Sequence, residues 1–222
     1  AFNLFCPLRE MLEKSPETAT AAIKAALPMY PIHSVTDVDL EFIPEKYKVL
    51  TGDKSAMDAI IRFKDEEGKN GFIAVETKYS ENLGTNVAYD RDVNGKKIPR
   101  AQSLKAVREL QCFNADVEQS IMKGDSPLTQ IYRNFLLSER YGEDEELQSY
   151  SIILAPKEHP TTQKELESLT NGLRGDYKDK IKKIDLEDFV GAIINNCPDK
   201  YRISFEQFYD RYLNFGKLEN ID

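Results

Sequence analysis

Two runs rich in strand-forming residues, 56–63 and 72–79, are separated by a polar stretch carrying Gly68 and Asn70. Runs this close together pair naturally as an antiparallel hairpin. Just upstream, Val38, Leu40 and Phe42 alternate with Asp37, Asp39 and Glu41, the period-2 pattern of a half-buried strand across 35–43. Ser15, Pro16 and Glu17 offer an N-cap, a proline at the first helical position and an acid in the first turn. A helix is therefore expected from there to Leu27, stopped by Pro28 and Pro31.

Beyond the hairpin, 82–100 is polar, holds Gly84, Gly95 and Pro99, and is long for an ordinary connection, which marks it as a functional loop or flap. A helix is expected over 101–122. Ser126 and Pro127 repeat the cap-plus-proline signal, and Leu128, Ile131, Tyr132, Phe135 and Leu136 trace one apolar helical face to about Arg140. The run 150–155, stopped by Pro156, reads as a buried strand. Helices follow over 162–173, 186–195 and 205–215, with an edge strand at 180–184. The order predicts an α/β fold: a mixed sheet flanked by helices, its hairpin strands antiparallel and its later strand reached by a helical crossover. At 222 residues a single domain over 1–222 is the default, with its core at about 15–155 and a helical C-terminal part at about 156–222.

Composition narrows the chemistry. Hydrophobic residues make up 41% and charged residues 31% of the chain, too apolar for a disordered tail. No stretch approaches the roughly 20 apolar residues of a membrane helix, and the run 2–8 lacks the basic flank of a signal peptide, so no membrane partner and a cytoplasmic location are expected. Cys6, Cys112 and Cys197 are scattered and never form a CxxC pair, which argues against a disulfide framework or a thiolate zinc site and for small buried residues. With His33 and His159 the only histidines, imidazole-based catalysis is disfavoured. Carboxylates, lysine and a hard cation are left to carry any reaction.

Such a group is at hand in the hairpin. Side chains two apart in a strand share a face, roughly 6.6 Å apart along it, so Glu76 and Lys78 project to one side, with Phe72 and Ala74 behind them. If the hairpin pairs as expected, Asp58 on the neighbouring strand approaches Glu76. Two carboxylates and an ammonium then meet at the end of an apolar strand, a donor set suited to magnesium, with manganese as its substitute. In outline this is a phosphodiester-hydrolysis site. The bare pattern acid-x-Lys is cheap, since Glu67-Gly68-Lys69 and Asp176-Tyr177-Lys178 match it too, and a strand-end salt bridge accounts for the spacing alone. Position at the end of an apolar strand, beside a second acid, distinguishes Glu76-Thr77-Lys78.

Gly52-Asp53-Lys54-Ser55-Ala56-Met57-Asp58, followed by Phe72-Ile73-Ala74-Val75-Glu76-Thr77-Lys78-Tyr79-Ser80-Glu81, resembles the PD-(D/E)XK nuclease superfamily, and more narrowly a group of bacterial restriction-endonuclease-like proteins. The resemblance covers 15–155, where the order helix, three strands, helix, strand matches the restriction-endonuclease-like core. Met57 stands where the family's name has proline. The resemblance implies that Asp58 and Glu76 bind magnesium with the Thr77 carbonyl as a further ligand, and that Lys78 is the catalytic lysine. It also points to Gln130, because several branches place a glutamine facing the site from the next helix; a surface glutamine is the alternative. Glu41 and Glu81 are weaker candidates, read more simply as a solvated strand face and an exposed loop acid.

The net charge of −8 argues against a surface coated for nucleic acid, but a polyanion responds to the local field. Arg91, Lys96, Lys97, Arg100, Lys105 and Arg108 follow the candidate strand with only Asp92 opposing them up to Arg108, and make DNA the expected partner through phosphate contacts. Lys178, Lys180, Lys182 and Lys183 form a second basic run. Tyr201, Phe205, Phe208, Tyr209, Tyr212 and Phe215 recur at helical spacing, as a core or an oligomer face would, so a homodimer is left open. The expected activity is magnesium-dependent DNA hydrolysis; the alternative is an inactive nucleic-acid-binding or protein-interaction module on the same fold.

Overall fold

The stretch between the two hairpin runs closes as a turn in which Asp65 Oδ1 accepts the backbone N–H groups of Glu67 and Lys69, both at 2.9 Å, while Gly68 takes φ +79°. Only a residue without Cβ adopts that conformation cheaply. Gly71 is fixed for another reason: a Cβ there would lie 2.6 Å from Cζ of Phe63, its cross-strand partner. The computed structural model describes residues 1–80, 90–91, 93–95, 97–98, 100–123 and 128–214, the side chains of 90–91 and 97–98 excepted.

Along the chain the elements are α1 (Phe2–Lys14), α2 (Pro16–Ala26), β1 (Ser34–Phe42), α3 (Tyr47–Leu50), β2 (Met57–Lys64), β3 (Asn70–Thr77), β4 (Asp90–Arg91), β5 (Lys97–Ile98) and α4 (Ala101–Leu110). They continue with α5 (Ala115–Lys123), α6 (Gln130–Asp144), β6 (Gln148–Ala155), α7 (Thr162–Gly172), α8 (Gly175–Lys178), β7 (Ile181–Asp185), α9 (Leu186–Asn196) and α10 (Asp199–Tyr212). The main sheet has the order β1-β2-β3-β6-β7, antiparallel from β1 to β3 and parallel from β3 to β7. It is an open mixed sheet flanked by helices, as the sequence pattern predicts. In the 82–100 stretch, β4 and β5 pair antiparallel around Val93, Asn94 and Gly95.

Apolar side chains on the two faces of the sheet build separate cores. Val38, Ala59, Ile61, Phe63, Ile73, Val75, Ile152 and Leu154 pack under α1, α2, α9 and α10. Ile60, Phe72 and Ala74 meet Leu137 of α6 and Leu50 of α3 on the other face. There too, Ile153 and Ile181 join a core built from α4, α5, α6 and α7. β2, β3 and β6 are thus buried on both sides, and the polar exceptions near their ends carry information.

Several expectations need correction. The helix expected over 101–122 is two helices, because Gln111 turns left-handed (φ +49°) and Asn114 Oδ1 caps α5 by accepting the Val117 N–H at 3.0 Å. Phe42 does not share a face with Val38 and Leu40: Glu41 takes φ +49°, and Phe42 packs against Tyr141 on the α6 side. Residues 2–14, for which the sequence pattern predicts no element, form a full helix whose Leu4, Phe5, Leu8 and Met11 are buried. The edge strand expected at 180–184 is present as β7, which pairs parallel with β6 and so carries the sheet past residue 155, whereas α10 begins at Asp199 rather than Phe205. Cys112 and Cys197 are buried as expected, whereas Cys6 is exposed. Tyr201 and Phe205 are buried, and Phe208, Tyr209 and Tyr212 pack against the same core; Phe215 lies outside the described residues. No helix among the described residues is long and apolar enough to cross a membrane.

Candidate active site

The register Ala59↔Val75 between β2 and β3 carries one step further to set Asp58 opposite Glu76, on one face of the sheet. Asp58 Oδ2 accepts two bonds from Thr77, the backbone N–H at 2.7 Å and the hydroxyl at 2.5 Å. No described residue bonds its Oδ1, which remains available to a cation. Lys78 lies one residue beyond the end of β3, with its backbone N–H still donating to Leu154 O at 2.7 Å. That bond keeps the side chain in strand register, and Nζ reaches Glu76 Oε1 at 2.8 Å. Both residues are buried, Glu76 to 8% exposure and Lys78 to 9%.

Helix α6 completes the surroundings. Gln130 Nε2 donates to Glu76 Oε1 at 2.7 Å and Asn134 Nδ2 to Oε2 at 2.8 Å. The two amides sit four residues apart, one above the other on a helical face, and the carboxylate faces the positive, N-terminal end of α6. Burial pushes the Glu76 carboxyl up to about 7, the charge of Asp58 adds to the rise, and Lys78 and Asn134 oppose it. A carboxylate that stays costly to ionise despite three donors is one that a further positive charge would stabilise.

A strand-end salt bridge by itself would show the same 2.8 Å contact. It would not account for the second acid across the hairpin or for two amides spent on one buried carboxylate. The donor set of Asp58, Glu76 and the neighbouring backbone suits a hard divalent ion with water completing its shell. Among the described residues no group of three or more His, Cys, Asp and Glu side chains converges, so the protein itself would supply a pair of carboxylates. Met57, at the position of the family's proline, is buried against Ile60 and Leu137 and acts there as apolar filling.

Sequence reasoning missed Asn134 and the brace beneath the site. Asn134 is found by adding four to Gln130. Ahead of β2, Gly52 turns left-handed (φ +70°) and Asp53 is buried at 5% exposure. Arg133 Nη1 reaches Asp53 Oδ2 at 2.5 Å and Ser55 Oγ at 3.3 Å. Arg100, expected among the phosphate contacts, directs Nη1 to Gly52 O at 2.6 Å, with Asp53 Oδ1 at 3.7 Å. Lys105 is exposed and pairs with Glu109 at 3.6 Å, and Arg108 is exposed. Lys96, Glu81 and the side chains of Arg91 and Lys97 lie outside the described residues.

Glu41 is exposed at the strand edge. The second basic run is largely neutralised within the fold: Lys180 reaches buried Glu139 at 2.6 Å, Lys182 reaches Asp179 at 3.6 Å, and Lys183 pairs with Asp185.

No curated protein and no solved structure matches the chain. A family model, that of the PD-(D/E)XK nuclease superfamily, does match, over residues 1–214, and the open mixed sheet flanked by helices is consistent with that fold. The chain belongs to the PD-(D/E)XK nuclease superfamily.

Proposed function

We propose that this chain is a magnesium-dependent nuclease that hydrolyses DNA phosphodiester bonds. The observation that carries the proposal is the meeting of Asp58, Glu76 and Lys78 at one end of the β2–β3 hairpin, with Glu76 held by two amides and pushed up to about 7. Asp58 and Glu76 would hold Mg2+, with Mn2+ as a substitute and the Thr77 carbonyl as a further ligand. When bound, the ion polarises a phosphoryl oxygen and lowers the pKa of a water.

The chain's own groups do the rest. Gln130 and Asn134 fix the Glu76 carboxylate in one orientation, and Thr77 fixes Asp58. The Lys78 ammonium, relieved of Glu76 once that carboxylate has a second cation, orients the attacking water and offsets charge developing on the phosphate. Water adds to phosphorus, one P–O ester bond breaks, the water's proton passes to solvent and the departing oxygen takes one up. The run 91–108 supplies phosphate contacts, of which exposed Lys105 and Arg108 are the described part.

Plasmid DNA incubated with the purified protein should be cut with magnesium and spared with EDTA, and Lys78→Ala should lose cutting by at least about a hundredfold. Plasmid and single-stranded DNA both left intact by wild type in magnesium, or undiminished cutting by Lys78→Ala, would reject the proposal. One observation favours a second reading. Both Glu76 oxygens already have donors within the chain, as would suit a binding module that needs no metal. Salt-dependent DNA binding with no metal-dependent cleavage would select it.

A further inference from the structure

Thr77 and Tyr79 point away from α6 and, with Lys78 at the rim, wall a cavity of about 440 Å³ between the start of α1 and the end of α10. Its remaining walls include Phe2, Phe208 and Tyr212. Two of these aromatic residues are unusually open for their size, Phe2 at 56% and Tyr79 at 44% exposure. Tyr79, Phe208 and Tyr212 are held in place by one another. Tyr79 Oη donates to Tyr212 O at 2.6 Å, its ring meets that of Tyr212 edge-on at 6.2 Å, and Phe208 lies 4.9 Å from Tyr212. Asn3 Nδ2 donates to Tyr212 Oη at 2.8 Å, which places an amide and a phenol at the same mouth.

This is a preformed pocket with planar apolar faces and a few polar groups, and its volume falls in the range of about 300–1,000 Å³ typical of small-ligand sites. Its wall adjoins the proposed reaction centre, because the hydroxyl of Thr77 is bonded to the carboxylate of Asp58 and Lys78 at the rim is paired with Glu76. A phosphodiester seated at Asp58 and Glu76 would therefore bring a neighbouring nucleoside beside that wall. Aromatic faces hold any base by stacking, without regard to sequence. A base inside an intact duplex cannot enter a side pocket unless it first unpairs and unstacks.

We propose that this pocket is a nucleobase subsite, and that the enzyme acts where the base beside the scissile phosphate is unpaired. The proposal rests on the nuclease reading and narrows its substrate class to single strands, frayed ends and other unpaired nucleotides.

Two measurements separate the proposals. In EDTA, a single-stranded deoxyoligonucleotide carrying 2-aminopurine at several positions should lose fluorescence on binding wild type as the base stacks, and Phe2→Ala should diminish the loss while Phe2→Tyr keeps it. With magnesium, the single strand should be cut faster than the same sequence in a fully paired duplex, and Phe2→Ala should raise KM on the single strand about tenfold with less effect on kcat. Equal cutting of single strand and duplex, or a Phe2→Ala variant that matches wild type in quenching and KM, would overturn the subsite. If quenching follows Phe2 but no DNA is cut, the subsite stands and the nuclease reading fails. If plasmid is cut in magnesium and nothing is quenched, the subsite alone fails.

Discussion

Glu76 is a site residue whose ionisation differs between folded and unfolded chain. Its carboxyl is held near 7 against an ordinary value of 4.5, with burial the largest cause. Between those two values the folded state binds the proton that the unfolded state has lost, so the metal-free protein loses stability as pH rises through the window. Above about pH 7 both states are ionised and the full cost of burying the charge, about 3 kcal/mol, is in place. Thermal unfolding without metal should show this decline from pH 5 to 8, and Glu76→Gln should flatten it. Magnesium should therefore raise Tm more at pH 8 than at pH 5; an equal rise at both values would contradict the assignment. Gln130 and Asn134 are predicted to act through the orientation of Glu76, and Asn134→Ala should weaken magnesium binding by about tenfold or more, measured by calorimetry, with little loss of fold. Of this group, Asp58, Glu76 and Lys78 were legible in the sequence because strand alternation and a short turn place them together. Asn134 was not, because nothing in the chain says which face of a distant helix will meet the sheet.

At the scale of elements, α6 links the site to the rest of the fold. Its Gln130 and Asn134 clamp β3, its Arg133 anchors the segment before β2 through Asp53, and its Leu137 packs on Phe72 and Ile60. Arg133→Ala would leave the Asp53 carboxylate buried without its closest cation, at a cost of about 3–5 kcal/mol readable from urea unfolding. Strands and helices with one strong period were legible: β1, β2, β3, β6 and α2 begin or end within two or three residues of their expected bounds. The break between α4 and α5 was not, because helical periodicity continues across it, and what interrupts it is the left-handed turn at Gln111 and the cap at Asn114. Asn114→Ala should cost α5 about 1 kcal/mol, and hydrogen exchange should find the loss concentrated over Ala115–Lys123. Uniform protection across α4 and α5 would contradict the cap.

For the molecule as a whole, an acidic protein must present a polyanion with a local basic surface. The net charge is −8; Lys180 and Lys183 meet acids inside the fold and Lys182 meets exposed Asp179, so the proposed function looks to the stretch from Arg91 to Arg108 for that surface. Arg108→Ala should weaken DNA binding equally across sequences and reduce the slope of log affinity against log salt by about one. An unchanged slope would place the DNA elsewhere. The same scale explains why basic residues were the least legible class in the sequence. Arg100 sits in a basic run but braces Gly52 and Asp53, and Lys180 serves buried Glu139, partners that only the folded chain brings near.

The central claim is that the β2 and β3 carboxylates form a divalent-cation site, and a crystal grown with manganese tests it through anomalous scattering. The account predicts one strong peak at about 2.2 Å from an oxygen of Asp58 and an oxygen of Glu76, with Lys78 turned from Glu76 toward solvent. A map with no manganese at that rim, and Lys78 still paired to Glu76, would contradict it.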